Sequence, residues 1–450
     1  MLETFRNAWK ITDLRKKILY TIFIILIFRL GSRVTVPFVD YEILKKAVDE
    51  NKDSIMDYLS IISGGGFTNA SIFALGIQPY INSSIIIQLL TVAIPALERM
   101  QKEGESGRKK IAQITRFVTV GLGLMLGIAY QFLLRGYNGE NTLIPEAQSG
   151  GWSWFAGITI VLCFTAGSAL MMWLGEQINE RGIGNGISML LFAGIVSRLP
   201  SGAIFLWNLF YTSGLKPLID GSSAIPTEQA ILYMVLPFII LILFGAMIAF
   251  IVHITNAERR IPVQYAKRVV GRKMYGGQNT FIPIKVNMSG VMPIILASSI
   301  IQLPNIIKRL FGMDPENTSW FFNLFASRNW FYVFAYFFMI IGFAFFYVTI
   351  QYNPMEMANN LRKNSGAIPG YRPGKPTTDY IKRVLNKVTL IGALFLGLIA
   401  LAPSLLGMVD PILGGMSIGG TSIMIVVGVA LETTQQIESQ MTMRHYKGFL

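Results

Sequence analysis

With 450 residues, 52% of them hydrophobic and only 14% charged, the chain cannot fold as an ordinary water-soluble domain. A mean hydropathy of +0.49 and a formal net charge of +14 point instead to a multi-span membrane protein with basic loops. The lone cysteine, Cys163, excludes an intramolecular disulfide and a Cys-based metal site, and it reads as inert packing inside an apolar run.

Taken in chain order, apolar runs near 18–36, 72–95, 114–134, 153–174, 183–199, 229–253, 289–308, 330–351, 388–409 and 416–434 predict ten spans. A bilayer requires roughly 20 mostly apolar residues for each. The first run lacks a small-residue cleavage pattern and reads as a retained helix rather than a signal peptide. Residues 72–95, 117–134 and 388–409 contain no Asp, Glu, Lys, Arg or His. A charge at the centre of a span costs about 2.5–3.5 kcal/mol and marks proton relays or ion sites, so no relay is expected.

Of the 39 Lys and Arg residues, 28 fall in alternate gaps between these runs: before Ile18, in 99–116, at Arg181, in 254–287, in 353–387, and after Glu432. Basic groups resist outward transfer, which makes these gaps and both termini cytoplasmic and the number of spans even. The two long basic loops, 254–287 and 353–387, carry seven such residues each, more than topology alone needs.

Ahead of the second span lies Ile55-Met-Asp-Tyr-Leu-Ser-Ile-Ile62, too short to cross a bilayer, followed by Ser63-Gly-Gly-Gly66. The pattern fits a short helix swinging on a glycine hinge, and it equally fits an interfacial helix outside the membrane. If the segment re-enters, a cavity must receive it, because irregular backbone at membrane depth has to be buried in protein or line water.

Two other classes fare less well. An ion-coupled small-solute secondary transporter is the alternative, since Pro79, Pro237, Pro293 and Pro403 interrupt spans, but the charged midplane partners are missing. An intramembrane enzyme lacks a His-Glu-x-x-His motif, and the two histidines, His253 and His445, sit at span or tail edges. Gly370-Tyr-Arg-Pro-Gly374-Lys375 imitates a phosphate loop but has the wrong spacing and no following Ser or Thr, so it reads as a rigid turn. No cofactor and no metal are expected.

Seven blocks, in order, carry a resemblance over some 350 residues. They are Ser71-Ile-Phe-Ala-Leu-Gly-Ile-Gln-Pro-Tyr-Ile-Asn-Ser-Ser-Ile-Ile-Ile-Gln-Leu-Leu90, Lys102-Glu-Gly-Glu-Ser-Gly-Arg-Lys-Lys110 and Trp173-Leu-Gly-Glu-Gln-Ile-Asn-Glu-Arg-Gly-Ile-Gly-Asn-Gly-Ile-Ser188. Tyr265-Ala-Lys-Arg268, Lys285-Val-Asn-Met-Ser-Gly-Val-Met-Pro293, Ile368-Pro-Gly-Tyr-Arg-Pro-Gly374 and Gly419-Gly-Thr-Ser422 follow. The set resembles the SecY/Sec61-alpha family of protein-conducting channels.

The resemblance implies an all-α membrane protein whose ten transmembrane helices form two five-helix halves, 1–205 and 206–450, related by inverted pseudo-symmetry. It implies a plug at 55–67, with Ile55, Tyr58, Leu59, Ile62, Gly64, Gly65 and Gly66. An apolar pore ring is implied at Ile77, Ile81, Ile187, Leu191, Ile295 and Ile425. The spacing Ile77/Ile81 and Ile187/Leu191 stacks each pair on one helix face, as either a ring or plain helix packing would require. Leu191 departs from the usual isoleucine and is less stiff at χ1. A lateral gate is implied along Asn82, Gln88, Gln302 and Leu303, whose polar members could equally serve local hydrogen bonds.

Docking is implied at Arg259, Arg260, Lys267, Arg268, Arg272, Lys273, Arg372 and Lys375. The expected ligands are ribosomal RNA or, by simple electrostatics, anionic lipids, with Arg372 the best single candidate for engaging the SecA motor. The remaining implied partners are SecE, SecG, signal peptides and nascent polypeptides. Function is then expected to be passive conduction of unfolded chains across the bacterial cytoplasmic (inner) membrane, with lateral release of transmembrane segments, driven by SecA or the ribosome.

Overall fold

The structure is a computed structural model, and it describes residues 2–40, 65–67, 69–135, 153–216, 227–265, 268–270, 273–275, 279–310, 324–325, 329–409 and 420–447. The chain divides into two units. The first comprises Met1–Phe244, Gln302–Asn329 and Pro403–Leu450, and the second Gly245–Ile301 and Trp330–Ala402.

The first unit opens with a short helix α1 (Leu2–Lys10) and the first apolar helix α2 (Thr12–Gly31). Beyond α2 the backbone extends, and Val36 N–H donates to the Ala70 carbonyl at 2.9 Å while Ile72 N–H donates to the Val34 carbonyl at 3.0 Å. The expected second span therefore begins later than its apolar run. Ser71 forms a β-bridge with Thr35, residues 72–77 are turns, Gly76 has φ +56, and helix α3 covers Gln78–Ala93. Pro79 fixes this start, because proline is pre-set for the first helical turn and lacks an N–H that would be unpaired there. Pro95 acts likewise for α4 (Pro95–Lys102), which leaves α3 at a bend of 101°.

Helices α5 (Glu105–Arg135) and α6 (Ser153–Arg181) follow, tied by Arg116 Nε donating to Glu176 Oε1 at 2.9 Å. The short fifth run becomes α7 (Gly186–Val196), continued by α8 (Leu199–Asn208) and a π-helical turn at Leu209–Leu215. Asn185 caps α7 by accepting from Ile187 N–H at 3.1 Å. Helix α9 (Thr227–Asn256) leads from the first unit into the second.

In the second unit the basic loop 254–287 folds as an antiparallel ribbon of β1 (Glu258–Tyr265) and β4 (Asn279–Lys285), enclosing the short pair β2 (Arg268–Val270) and β3 (Lys273–Tyr275). Ile261 and Val263 point inward while their neighbours point out, the period-2 alternation a half-buried strand requires. A fifth strand, β5 (Gly366–Ala367), pairs with the far end of β1, matching Gln264 with Ala367 and Tyr265 with Gly366. Helices α10 (Met292–Leu310), α11 (Trp330–Gln351), α12 (Pro354–Lys363) and α13 (Lys375–Val409) complete the order, and α14 (Gly420–Lys447) returns to the first unit.

Among the described residues, six helical stretches are long and apolar enough to cross a membrane, or seven if the bent pair α3–α4 counts as one span. Helix α2 falls short of that standard because Arg15, Lys16, Lys17 and Arg29 lie within its twenty residues.

Close helix approach depends on glycine. A Cβ at Gly186 would overlap the Gly175 carbonyl, and one at Gly167 would overlap the Ile72 carbonyl. Small residues are how helices pack tightly where lipid supplies no hydrophobic drive. Gly186→Ala should therefore destabilise the protein by about 1–3 kcal/mol, the usual cost of overpacking. Gly245→Ala, where a Cβ meets nothing within 4 Å, serves as the control. Thermal unfolding of the two purified variants should show a lowered midpoint for the first alone.

Candidate functional site

Ile77 sits at the start of α3 and Ile81 one turn further, and both are buried. The Cδ1 of Ile77 and that of Leu190 lie 3.7 and 3.6 Å from where a Gly175 Cβ would be. This places Ile77 in the seam of α3, α6 and α7, so it has a packing role whatever else it does. On α7, Leu191 is buried and Ile187 half-buried, and on α14 Ile425 is half-buried. These five belong to the first unit, whereas Ile295, half-buried on α10, belongs to the second.

Ile55, Tyr58, Leu59, Ile62 and Gly64 lie outside the described residues. The end of the expected plug is described, and it is anchored. Gly65 has φ +86, a conformation glycine adopts without strain, and a Cβ there meets nothing within 4 Å. Two residues on, Phe67 is 1% exposed, and its ring meets Tyr130 edge-on at 4.6 Å while Tyr130 meets Phe164 at 4.7 Å. The Tyr130 hydroxyl donates to the Phe67 carbonyl at 3.3 Å. The Gly65 carbonyl accepts from Asn69 N–H at 3.2 Å and the Gly66 carbonyl from Ser71 N–H at 2.9 Å, so the turn that follows the expected plug is itself held. Sequence reasoning missed Phe67, Tyr130 and Phe164, because three aromatics far apart in an apolar chain carry no spacing signal.

Of the expected gate residues, Asn82 and Gln88 lie half-buried on α3, and the Gln88 carbonyl accepts from Thr91 Oγ1 at 2.6 Å. Gln302 and Leu303 are helical on α10, with side chains outside the described set.

The expected docking residues that are described lie on β1, on the β2–β3 hairpin and around the start of α13. Arg259 and Arg260 are exposed on β1, where Arg260 Nε donates to Glu258 Oε1 at 2.6 Å and its guanidinium lies 4.7 Å from the Phe281 ring centre. Lys267 and Arg272 lie outside the described residues, while Arg268 and Lys273 occupy the ends of the β2–β3 hairpin. Arg372 is exposed on a turn, and Lys375 is exposed at the first position of α13; three devices hold the turn. Gly370 and Gly374 supply φ of +85 and +110, Thr377 Oγ1 donates to the Arg372 carbonyl at 2.8 Å, and Tyr371 stacks on Tyr380 at 4.3 Å. These contacts tie the turn to the start of α13.

The β1–β5 pairing joins the two basic loops, which sequence reading treated as separate. Beneath them Ile261, Val263, Ile284, Leu361, Ile368 and Ile381 share one apolar cluster, so the platform has its own core.

The family model for SecY matches residues 71–434. The chain is 42% identical to the protein translocase subunit SecY of Streptomyces galbus, over the full length of both. It belongs to the SecY family. Among solved structures it is similar to one described as the structure of a protein conducting channel, with a TM-score of 0.64, 17% identity, and coverage of 94% of this chain and 92% of that one. Another is Sec61 in the canine ribosome-channel complex from the endoplasmic reticulum, with a TM-score of 0.63, 16% identity and the same coverage. The chain thus has the SecY/Sec61 fold and is a multi-pass membrane protein, and the transporter alternative finds no support.

Tyr130→Phe keeps the ring and removes the donor to Phe67, so it should cost about 0.5–1.5 kcal/mol. Phe67→Ala, which empties a buried site, should cost about 3–5 kcal/mol. Denaturation of the two variants should rank them in that order, and equal losses would count against the anchor.

Proposed function

We propose that this chain is the pore-forming subunit of a protein translocase of the bacterial cytoplasmic membrane. On this reading it moves unfolded polypeptides across the bilayer and releases transmembrane segments sideways into lipid. The whole-length 42% identity to a protein translocase subunit carries the proposal. Both termini are cytoplasmic, as the distribution of basic residues favours.

In this reading the halves 1–205 and 206–450 flank the pore. Ile77, Ile81, Ile187, Leu191, Ile295 and Ile425 form an apolar ring that resists wetting, so ions are held back while a passing chain displaces the seal. Segment 55–67 closes the outer side as a plug turning about Gly64, Gly65 and Gly66. Asn82 and Gln88, facing Gln302 and Leu303, form the seam that opens toward lipid.

The chain supplies no motor in this scheme. SecA pushes secretory chains and the ribosome delivers nascent ones, while SecE and SecG are the small membrane partners. The similarity to Sec61 of a ribosome-channel complex supports a ribosome partner. The joined basic loops suit rRNA phosphates, with anionic lipids as secondary ligands and Arg372 as the SecA contact.

Two measurements test this. Arg259→Glu should weaken ribosome binding and lower the slope of log affinity against log salt by about one, as for one lost phosphate contact. An unchanged slope would remove β1 from the contact. For the seam, Asn82→Cys with Leu303→Cys, in a Cys163→Ser background, should form a disulfide and block insertion of transmembrane segments. The bond requires Cα atoms within about 7 Å. Complete crosslinking with normal insertion would overturn the lateral exit.

A further inference from the structure

The turn from α6 to α7 leads directly into the helix that carries Ile187 and Leu191, and its N–H groups are capped by side chains from several elements. Ile183 N–H donates to Thr21 Oγ1 at 3.0 Å, Gly184 N–H to Gln436 Oε1 at 2.7 Å, and Gly186 N–H to Asn179 Oδ1 at 2.7 Å. Gly186 is the first helical residue and its N–H has no partner within the helix, while Ile183 and Gly184 lie in the turn ahead of it, so the accepting side chains hold both the turn and the helix start. Thr21 lies on α2 and Asn179 on α6, the helix that precedes the turn. Gln436 comes from α14, far along the chain.

Helix α14 touches the turn with one face. Thr433, Gln436 and Ile437 stand at i, i+3 and i+4, the spacing that lines side chains up along a helix. Gly184 has φ +88, and a Cβ there would lie 3.1 Å from Met189 Cγ and 3.3 Å from Thr433 Oγ1, so the turn, α7 and α14 meet closely at this point. Ile437 and Ile183 are both buried in the same apolar cluster. Thr433 Oγ1 also reaches Met189 Sδ, on α7 itself, at 3.6 Å.

Ile425 precedes Gln436 by eleven residues on α14. At 100° per residue the two share a face, and the rise places Ile425 about 16 Å along the helix from the contact. Leu191, five residues past the first helical residue Gly186, lies about 7.5 Å along α7 from the start that the turn sets. One contact therefore sets how far along each helix these two apolar side chains stand.

We propose that Thr433, Gln436 and Ile437 form a latch on the Ile183–Gly184 turn that positions Ile187 and Leu191 of α7 against Ile425 of α14. These are positioning residues, and the proposal rests on the ring reading given above. Loosening the latch lets the two helices slide and the apolar seal leak, without altering any side chain of the ring.

The test uses the intact complex in planar bilayers, with hydrogen exchange over residues 182–187 measured in parallel. Gln436→Ala removes the acceptor, whereas Gln436→Glu keeps an oxygen for Gly184 N–H. Ile187→Gly is the control for the ring itself. The alanine variant should raise exchange and increase resting ion conductance roughly 2- to 10-fold, the shift one lost hydrogen bond permits. The glutamate variant should restore both.

Faster exchange with unchanged conductance, while Ile187→Gly conducts more, would make the contact merely structural and overturn the latch. Unchanged exchange in the alanine variant would overturn it as well. If Ile187→Gly itself leaves conductance unchanged, the ring reading fails, and the latch has nothing to position.

Discussion

The hydrocarbon core of a bilayer offers no water to a backbone N–H or C=O, and each such group left unpaired there costs several kcal/mol. This constraint governs both the regular and the irregular parts of the chain. Prolines at the helix starts, Pro79, Pro95, Pro200 and Pro354, stand where a missing N–H leaves nothing unpaired. Where the chain is not helical, it finds partners within the protein. The strip 34–36 pairs with 70–72, and the 182–187 turn borrows oxygens from Thr21, Asn179, Asn185 and Gln436. Irregular backbone satisfied in this way can be held inside a membrane protein, which a channel with a plug and a ring requires.

A second consequence is mechanical. Glycine contacts such as Gly186 on the Gly175 carbonyl and Gly392 on the Val286 carbonyl pack backbone against backbone and leave little freedom. Gly65 has open space around it and a clamped aromatic two residues away.

Much of this was legible in the sequence. Apolar runs located most of the long helices, and the seven motif blocks gave the family that comparison then established. Runs do not reveal that residues 72–77 are turns, because apolar composition is the same in a turn buried in protein as in a helix. The β-ribbon at 258–285 was read as a loop, since its alternation covers only Ile261 and Val263 and is broken by Pro262. Its pairing with β5 joins residues a hundred positions apart and leaves no local trace. The Phe67, Tyr130 and Phe164 stack and the grip of Gln436 on Gly184 are likewise long-range.

The most direct measurement places a photoreactive side chain at single positions and arrests a secretory polypeptide partway through the channel. Probes at Ile81, Ile187, Leu191 and Ile425 should crosslink to the arrested chain. Probes at Phe117 and Ile242, which are 80% and 73% exposed on helix surfaces, should crosslink to lipid instead. Crosslinking from Phe117 or Ile242 with none from the ring positions would contradict a central polypeptide path through this fold.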